Sequence, residues 1–188
     1  MAASLRAPWD GSRAPVRSRL GYAGDMATHR LLATVDPAGV LTRARTASGH
    51  EVVMDVEPPV GAGTAASPKE ALLASLAGCT AADVASILRK KRQTADAYEI
   101  AVRAESSRAH PRVFTSIVLE HRVEGDVDPE AVRRSVELSA TKYCPVNAML
   151  AGRVRIEHRY RLSTPAGAVH RAVVAVLGPG DEDSDARV

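Results

Sequence analysis

Two cysteines, and only two, stand in the 188 residues of this chain. They occupy Leu76-Ala77-Gly78-Cys79-Thr80 and Lys142-Tyr143-Cys144-Pro145-Val146. The two contexts differ, so they are not halves of a repeated metal site, and no His, Cys or Asp spacing matches a zinc motif. Cysteine used this sparingly suggests a dithiol–disulfide pair, whose chemistry is that of a thiolate nucleophile. At about 100° per helical residue, Leu72, Leu76, Asp83 and Ser86 share the face of Cys79. An apolar face raises a thiol's pKa by desolvation, so reactivity at Cys79 needs a positive neighbour from elsewhere. Asp83 would work against it if it approached. Cys144 precedes a proline, and as an N-cap it would meet unpaired backbone N–H groups that favour a thiolate. The plainer readings are a buried core cysteine at 79 and a packing residue between helices at 144. Spacing alone leaves both open, because a disulfide needs Cα atoms about 4.4–6.8 Å apart.

The elements that must position these residues are well marked. His29 to Val35, Val40 to Ala47 and Glu51 to Val56 read as three strands, the first two joined by the turn Asp36-Pro37-Ala38-Gly39. His50, after Ser48-Gly49, is a turn histidine or a pocket-lining one. A loop, 58–63, leads to a long helix that begins at Ser67 as N-cap. Pro68 takes the first helical position and Glu70 completes the capping box. This helix runs to about Arg92, its basic end, Arg89 to Arg92, matching the dipole. Strands over Glu99 to Glu105 and Val113 to Val123 follow. A second helix, capped at Asp128, runs to about Thr141, and Cys144-Pro145 breaks it before a short helix over Val146 to Leu150. Val154 to Leu162 is the last strand. The order gives an α+β fold with antiparallel pairing.

Composition narrows the function. At 45% hydrophobic and 3% aromatic, the chain builds one aliphatic core, and a second domain is not expected. A formal charge of +3 without a clustered basic face gives no basis for nucleic-acid binding. No uninterrupted apolar run of about 18 residues is present, so no membrane span or membrane partner is expected. Two cysteines without an apolar leader suit a reducing compartment, hence a cytoplasmic protein whose disulfide would be transient. Residues 1–26 read as a disordered extension, for which a targeting peptide and an over-long start are both open, and residues 165–188 as a flexible acidic tail. Ala172 to Leu177 within it is an edge strand or nothing. The folded domain is placed at 27–164. No phosphate loop, nucleophile elbow or dinucleotide fingerprint occurs, and neither metal nor cofactor is expected.

Taken together, Ser48-Gly49-His50, Val52-Val53-Met54-Asp55, Ser67-Pro68-Lys69-Glu70-Ala71-Leu72-Leu73, Gly78-Cys79-Thr80, Arg89-Lys90-Lys91-Arg92-Gln93 and Lys142-Tyr143-Cys144-Pro145-Val146 resemble the OsmC/Ohr family. The likeness is closer to the OsmC-like branch than to the organic hydroperoxide resistance enzymes, and covers about residues 29–162. The resemblance implies an intertwined homodimer with long central helices and active sites at the subunit interface. It implies that Cys79 attacks an organic hydroperoxide and becomes a sulfenic acid, that Cys144 resolves it to a disulfide, and that a dithiol, such as a lipoylated protein, reduces that. The candidate catalytic residues are Cys79, Cys144 and Glu70. Two differences stand out. Peroxidase members carry an arginine in the first hairpin turn, where this chain has none; Arg43 and Arg45 lie further along. Their acidic residue directly follows the proline, where this chain has Lys69, and Glu70 comes one later. That places Glu70 about opposite Cys79 on the helix, where capping is its work. Lys69 or a strand arginine is then the candidate positive charge. The leading reading is a thiol-dependent peroxidase. Its alternatives are a non-enzymatic dimer binding a small apolar or thiol-reactive ligand at the interface, and a purely structural interaction protein.

Overall fold

The computed structural model describes residues 29–179. Expectations for residues 1–26 and for the acidic residues from Asp181 onward lie outside the described residues. The chain divides into two compact units, one ending at Ala71 and one beginning at Leu72, where a single domain over 27–164 was expected.

The first unit is a three-stranded antiparallel sheet, β1 (Leu31–Val35), β2 (Thr42–Thr46) and β3 (Glu51–Met54), in that order. Its first turn is closed as the sequence implies: the Asp36 carboxylate accepts from the Ala38 N–H at 2.9 Å, an Asx turn. After β3, Asp55 gathers the loop by accepting from the N–H groups of Val56 and Thr64 and from the Thr64 hydroxyl. Those bonds hold its carboxyl below the usual range. Gly61 is required here, since a Cβ would land on the Val56 carbonyl oxygen and the Asp55 carboxylate.

The second unit is built on a four-stranded sheet, β4 (Ala97–Ser106), β5 (Phe114–Glu124), β6 (Arg155–Ser163) and β7 (Val169–Leu177). One expectation is corrected and one open reading is settled. The sheet is not wholly antiparallel: β5 and β6 run parallel. Parallel neighbours need a crossover of a dozen or more residues, which the helices α2 (Pro129–Leu138) and α3 (Pro145–Ala151) provide. Of the two readings left open for Ala172 to Leu177 in the expected tail, the edge strand is the one that forms: it is the second half of β7, which pairs antiparallel with β6. The start of β7, Val169-His170-Arg171, is too mixed in polarity to read as a strand, and the ladder supplies what the pattern lacks.

Helix α1 (Pro68–Lys90) begins with the expected capping box, Glu70 N–H to Ser67 Oγ at 3.3 Å and Ser67 N–H to the Glu70 carboxylate at 2.7 Å. By length and composition α1 is apolar enough to cross a membrane, where no such span was expected. A core helix meets the same criteria, and Leu76, Thr80, Val84 and Leu88 line one buried face of it.

Two apolar clusters form the core. One joins Val84 and Leu88 to Val123, Val132, Val136 and Leu162. The other joins Leu76 to Ile117, Leu119, Cys144, Val154 and Ile156. Three elements that run through both change to a polar residue between them: Thr80 in α1, His121 in β5, His158 in β6, all fully buried. A polar layer therefore divides the core, and the cysteines stand at its edge.

Candidate active site

Helix α2 stops at Leu138, short of the expected Thr141, and Ser139–Tyr143 form a wider π-helical turn. The Cys144 N–H closes that turn on the Ser139 carbonyl at 3.0 Å. Such turns concentrate at functional positions because they re-aim a side chain without ending the helix. Cys144 then adopts extended backbone as the N-cap of α3, with Pro145 at the first helical position, and its sulfur accepts the Asn147 N–H at 3.3 Å.

This brings the two cysteines together. Both are free thiols, and their sulfurs lie 2.7 Å apart, the Cys144 thiol donating to Cys79. Cys79 is half-buried and Cys144 buried. On α1, Leu76 and Asp83 flank Cys79 as helix periodicity requires, and Asp83 does approach: its carboxylate lies within 4.8 Å of both sulfurs. The Ser139 hydroxyl donates to that carboxylate at 3.0 Å. For Cys144 the N-cap argument meets a stronger opponent. Burial pushes its thiol well above the ordinary range, donation to Cys79 adds to that, and the Asn147 N–H only partly offsets it. Cys144 is therefore the protonated partner, and Cys79 the more accessible, accepting sulfur.

Two sulfurs and a carboxylate are also a donor set for a thiophilic cation. Two thiolates at about 2.3 Å from one tetrahedral zinc would stand about 3.8 Å apart. At 2.7 Å the sulfurs are set for each other and would have to part by about 1 Å to share a metal.

Behind Cys144 runs a chain of buried polar groups. Asn147 donates from Nδ2 to the Ala140 carbonyl at 2.7 Å, and its Oδ1 meets His158 Nε2 at 3.0 Å. His158 Nδ1 meets His121 Nε2 at 3.3 Å, and His121 Nδ1 meets the Tyr98 hydroxyl at 2.7 Å. Burial holds both imidazoles neutral, lowering His121 to about 3, with help from His158, and His158 to about 4. Burial, then Asp83, raises the Tyr98 phenol. None of these residues was among the sequence candidates. A signal was present: His121 continues the alternation Ile117, Leu119, His121, Val123, and His158 continues Ile156, His158, Tyr160, so both sit in phase with the core face.

Of the other expected site residues, Glu70 is engaged in the capping box, whose N–H and hydroxyl hold its carboxyl below the usual range. Arg43 forms an exposed ion pair with Glu51 at 3.2 Å. His50 is an exposed turn residue, its N–H bonded to the Thr46 hydroxyl.

A family model described as OsmC-like protein matches residues 61–159. The chain belongs to the OsmC-like family. The match crosses the boundary between the two units and includes both cysteines. Among curated relatives of this OsmC-like chain is Protein YhfA of Escherichia coli K12, 41% identical over 125 residues, covering 66% of this chain and 91% of the relative. A hypothetical protein from Aquifex aeolicus VF5 has the same fold, with TM-score 0.65 and 25% identity over 74% of this chain and 98% of its own. An organic hydroperoxide resistance protein OsmC from Legionella pneumophila, described as a predicted redox protein, aligns with TM-score 0.55 at 14% identity, over 72% of this chain and 97% of its own. At that identity the likeness concerns the fold.

Proposed function

We propose that this OsmC-like protein is a thiol-dependent peroxidase for organic hydroperoxides, acting in the cytoplasm through Cys79 and Cys144. The observation that carries the reading is the 2.7 Å contact of two free thiols whose donor is the buried one. In the first step the Cys79 thiolate attacks the terminal peroxide oxygen. The O–O bond breaks, Cys79 becomes a sulfenic acid, and the alkoxide leaves as the alcohol after taking a proton. In the second, the Cys144 sulfur attacks the Cys79 sulfur, the S–O bond breaks, and the Cys144 proton leaves with the hydroxide as water. A dithiol then reduces the disulfide by exchange and is itself oxidised to a disulfide. The apolar side chains around the pair, Leu73, Leu76, Phe114, Val146 and Leu150, favour an organic over an inorganic peroxide. Glu70 serves this reading by starting α1, the helix that carries Cys79.

The active form in this reading is a homodimer. The first unit buries only Ala44 and Asp55 among its described residues, while Leu31, Leu32, Val35 and Val52 stay exposed. A small sheet with so little covered is not stable by itself, and a second copy provides the cover.

Consumption of cumene hydroperoxide with dithiothreitol as reductant tests the enzyme. Cys79→Ser is expected to fall to the no-protein rate. Without reductant, Cys144→Ser is expected to react once and leave a sulfenic acid at Cys79 that dimedone traps. If Cys79→Ser consumes peroxide as fast as wild type, the enzyme reading fails and the ligand-binding one replaces it.

A further inference from the structure

The polar chain in the core has a direction, and it ends on the Ala140 carbonyl in the turn that leads to Cys144. Asn147 Nδ2 is committed to the Ala140 carbonyl, so Oδ1 is the atom that faces His158. An oxygen there accepts, hence His158 carries its proton on Nε2. A neutral imidazole with Nε2–H has an accepting Nδ1, so His121 donates from its own Nε2. That leaves His121 Nδ1 to accept from the Tyr98 hydroxyl. Every hydrogen in the chain is placed by the one before it, and among the described residues no buried side-chain polar atom lacks a partner.

The chain links β4, β5 and β6 to both sides of the resolving cysteine. Ala140 lies in the π-helical turn before Cys144 and Asn147 in the first turn of α3 after it. The Asn147 side chain clamps one to the other, and its backbone N–H bonds the Cys144 sulfur directly. An amide does not pass protons as an imidazole does, so Asn147 makes this a scaffold and not a proton wire. We propose that Asn147, held by the Tyr98–His121–His158 relay, is the positioning residue that aims the Cys144 sulfur at Cys79. This deepens the reading of the pair as a redox couple and rests on it.

The relevant quantity is the effective concentration of one thiol toward the other, which falls when a positioned sulfur is released. It is read from the equilibrium between reduced protein plus oxidised glutathione and disulfide protein plus two reduced glutathiones. No peroxide enters, so loss of peroxidase activity and loss of positioning are separate results. His158→Leu removes the donor to Asn147; His158→Gln retains an N–H near the Nε2 position. The expected result is a tenfold or greater fall in the oxidation constant for His158→Leu, with His158→Gln within about threefold of wild type, both folded by circular dichroism. Equal falls in the two variants, or no fall in His158→Leu, would overturn the proposal. Should His158→Leu not fold, Tyr98→Phe decides, since it keeps the ring and removes only the first donor. A two- to threefold lower constant supports the relay, and an unchanged one overturns it. A wild-type chain that forms no disulfide with glutathione removes the redox pair itself, and the proposal with it.

Discussion

Thiols 2.7 Å apart differ sharply in environment, and the difference separates donor from acceptor. Cys144 is buried and held up in pKa, so it waits as a thiol; Cys79, on the more open side, receives the hydrogen bond. Cys144 was placed by sequence at a helix start, which is correct, but the local argument omitted the apolar cluster closing over it. Desolvation depends on residues far away in sequence, such as Ile117 and Ile156, and no local pattern displays it. The buried histidines give a residue-scale prediction for stability. Both have folded-state pKa values below the ordinary 6.5, so the unfolded chain binds protons first as pH falls. Their contribution is complete above about pH 6.5 and is lost progressively from there toward pH 4 and then 3. His158 alone accounts for roughly 3 kcal/mol of that loss. Chemical denaturation between pH 7.5 and 4.5 should show a falling unfolding free energy. In His158→Gln, which cannot charge, the slope should be visibly shallower; an identical slope would contradict the assignment.

Helix starts were the most legible features, because their signals are local. Ser67, Pro68 and Glu70 begin α1, and Asp128 and Pro129 begin α2, as read. Replacing Ser67 with alanine should lower stability by about 1 kcal/mol, the usual value of such a cap, measured by thermal or urea unfolding. The far end of α1 holds an opportunity. Arg92 has φ 58°, its N–H bonds the Arg89 carbonyl at 3.0 Å, and the Gln93 N–H bonds the Leu88 carbonyl at 3.0 Å. This is a Schellman end with a side chain where glycine is normally found. Arg92→Gly should raise the unfolding free energy by about 1 kcal/mol, and a lower melting temperature would refute that. The parallel pairing of β5 with β6 was not legible, and of β7 only the half from Ala172 was offered as a strand. Strand order depends on which edges meet after the crossover, and the period of a strand carries no information on its neighbour.

At the scale of the whole molecule, the sequence carried the family and most of the element order, while the core's division into two apolar clusters and a polar layer appeared only in three dimensions. The apolar side chains left exposed on the first unit, Leu31, Leu32, Val35 and Val52, predict self-association. Sedimentation equilibrium should give twice the chain mass at micromolar concentration, and Leu32→Glu with Val35→Lys should shift it toward the monomer. A wild-type monomer at that concentration would remove the dimer from the account. The central claim is that Cys79 and Cys144 form one peroxide-oxidised pair, and a thiol count tests it most directly. Free thiols are counted before and after one equivalent of cumene hydroperoxide, and the peptides are mapped by mass spectrometry. The account predicts that both thiols disappear and that a Cys79–Cys144 linked peptide takes their place. Two thiols surviving the peroxide would contradict it.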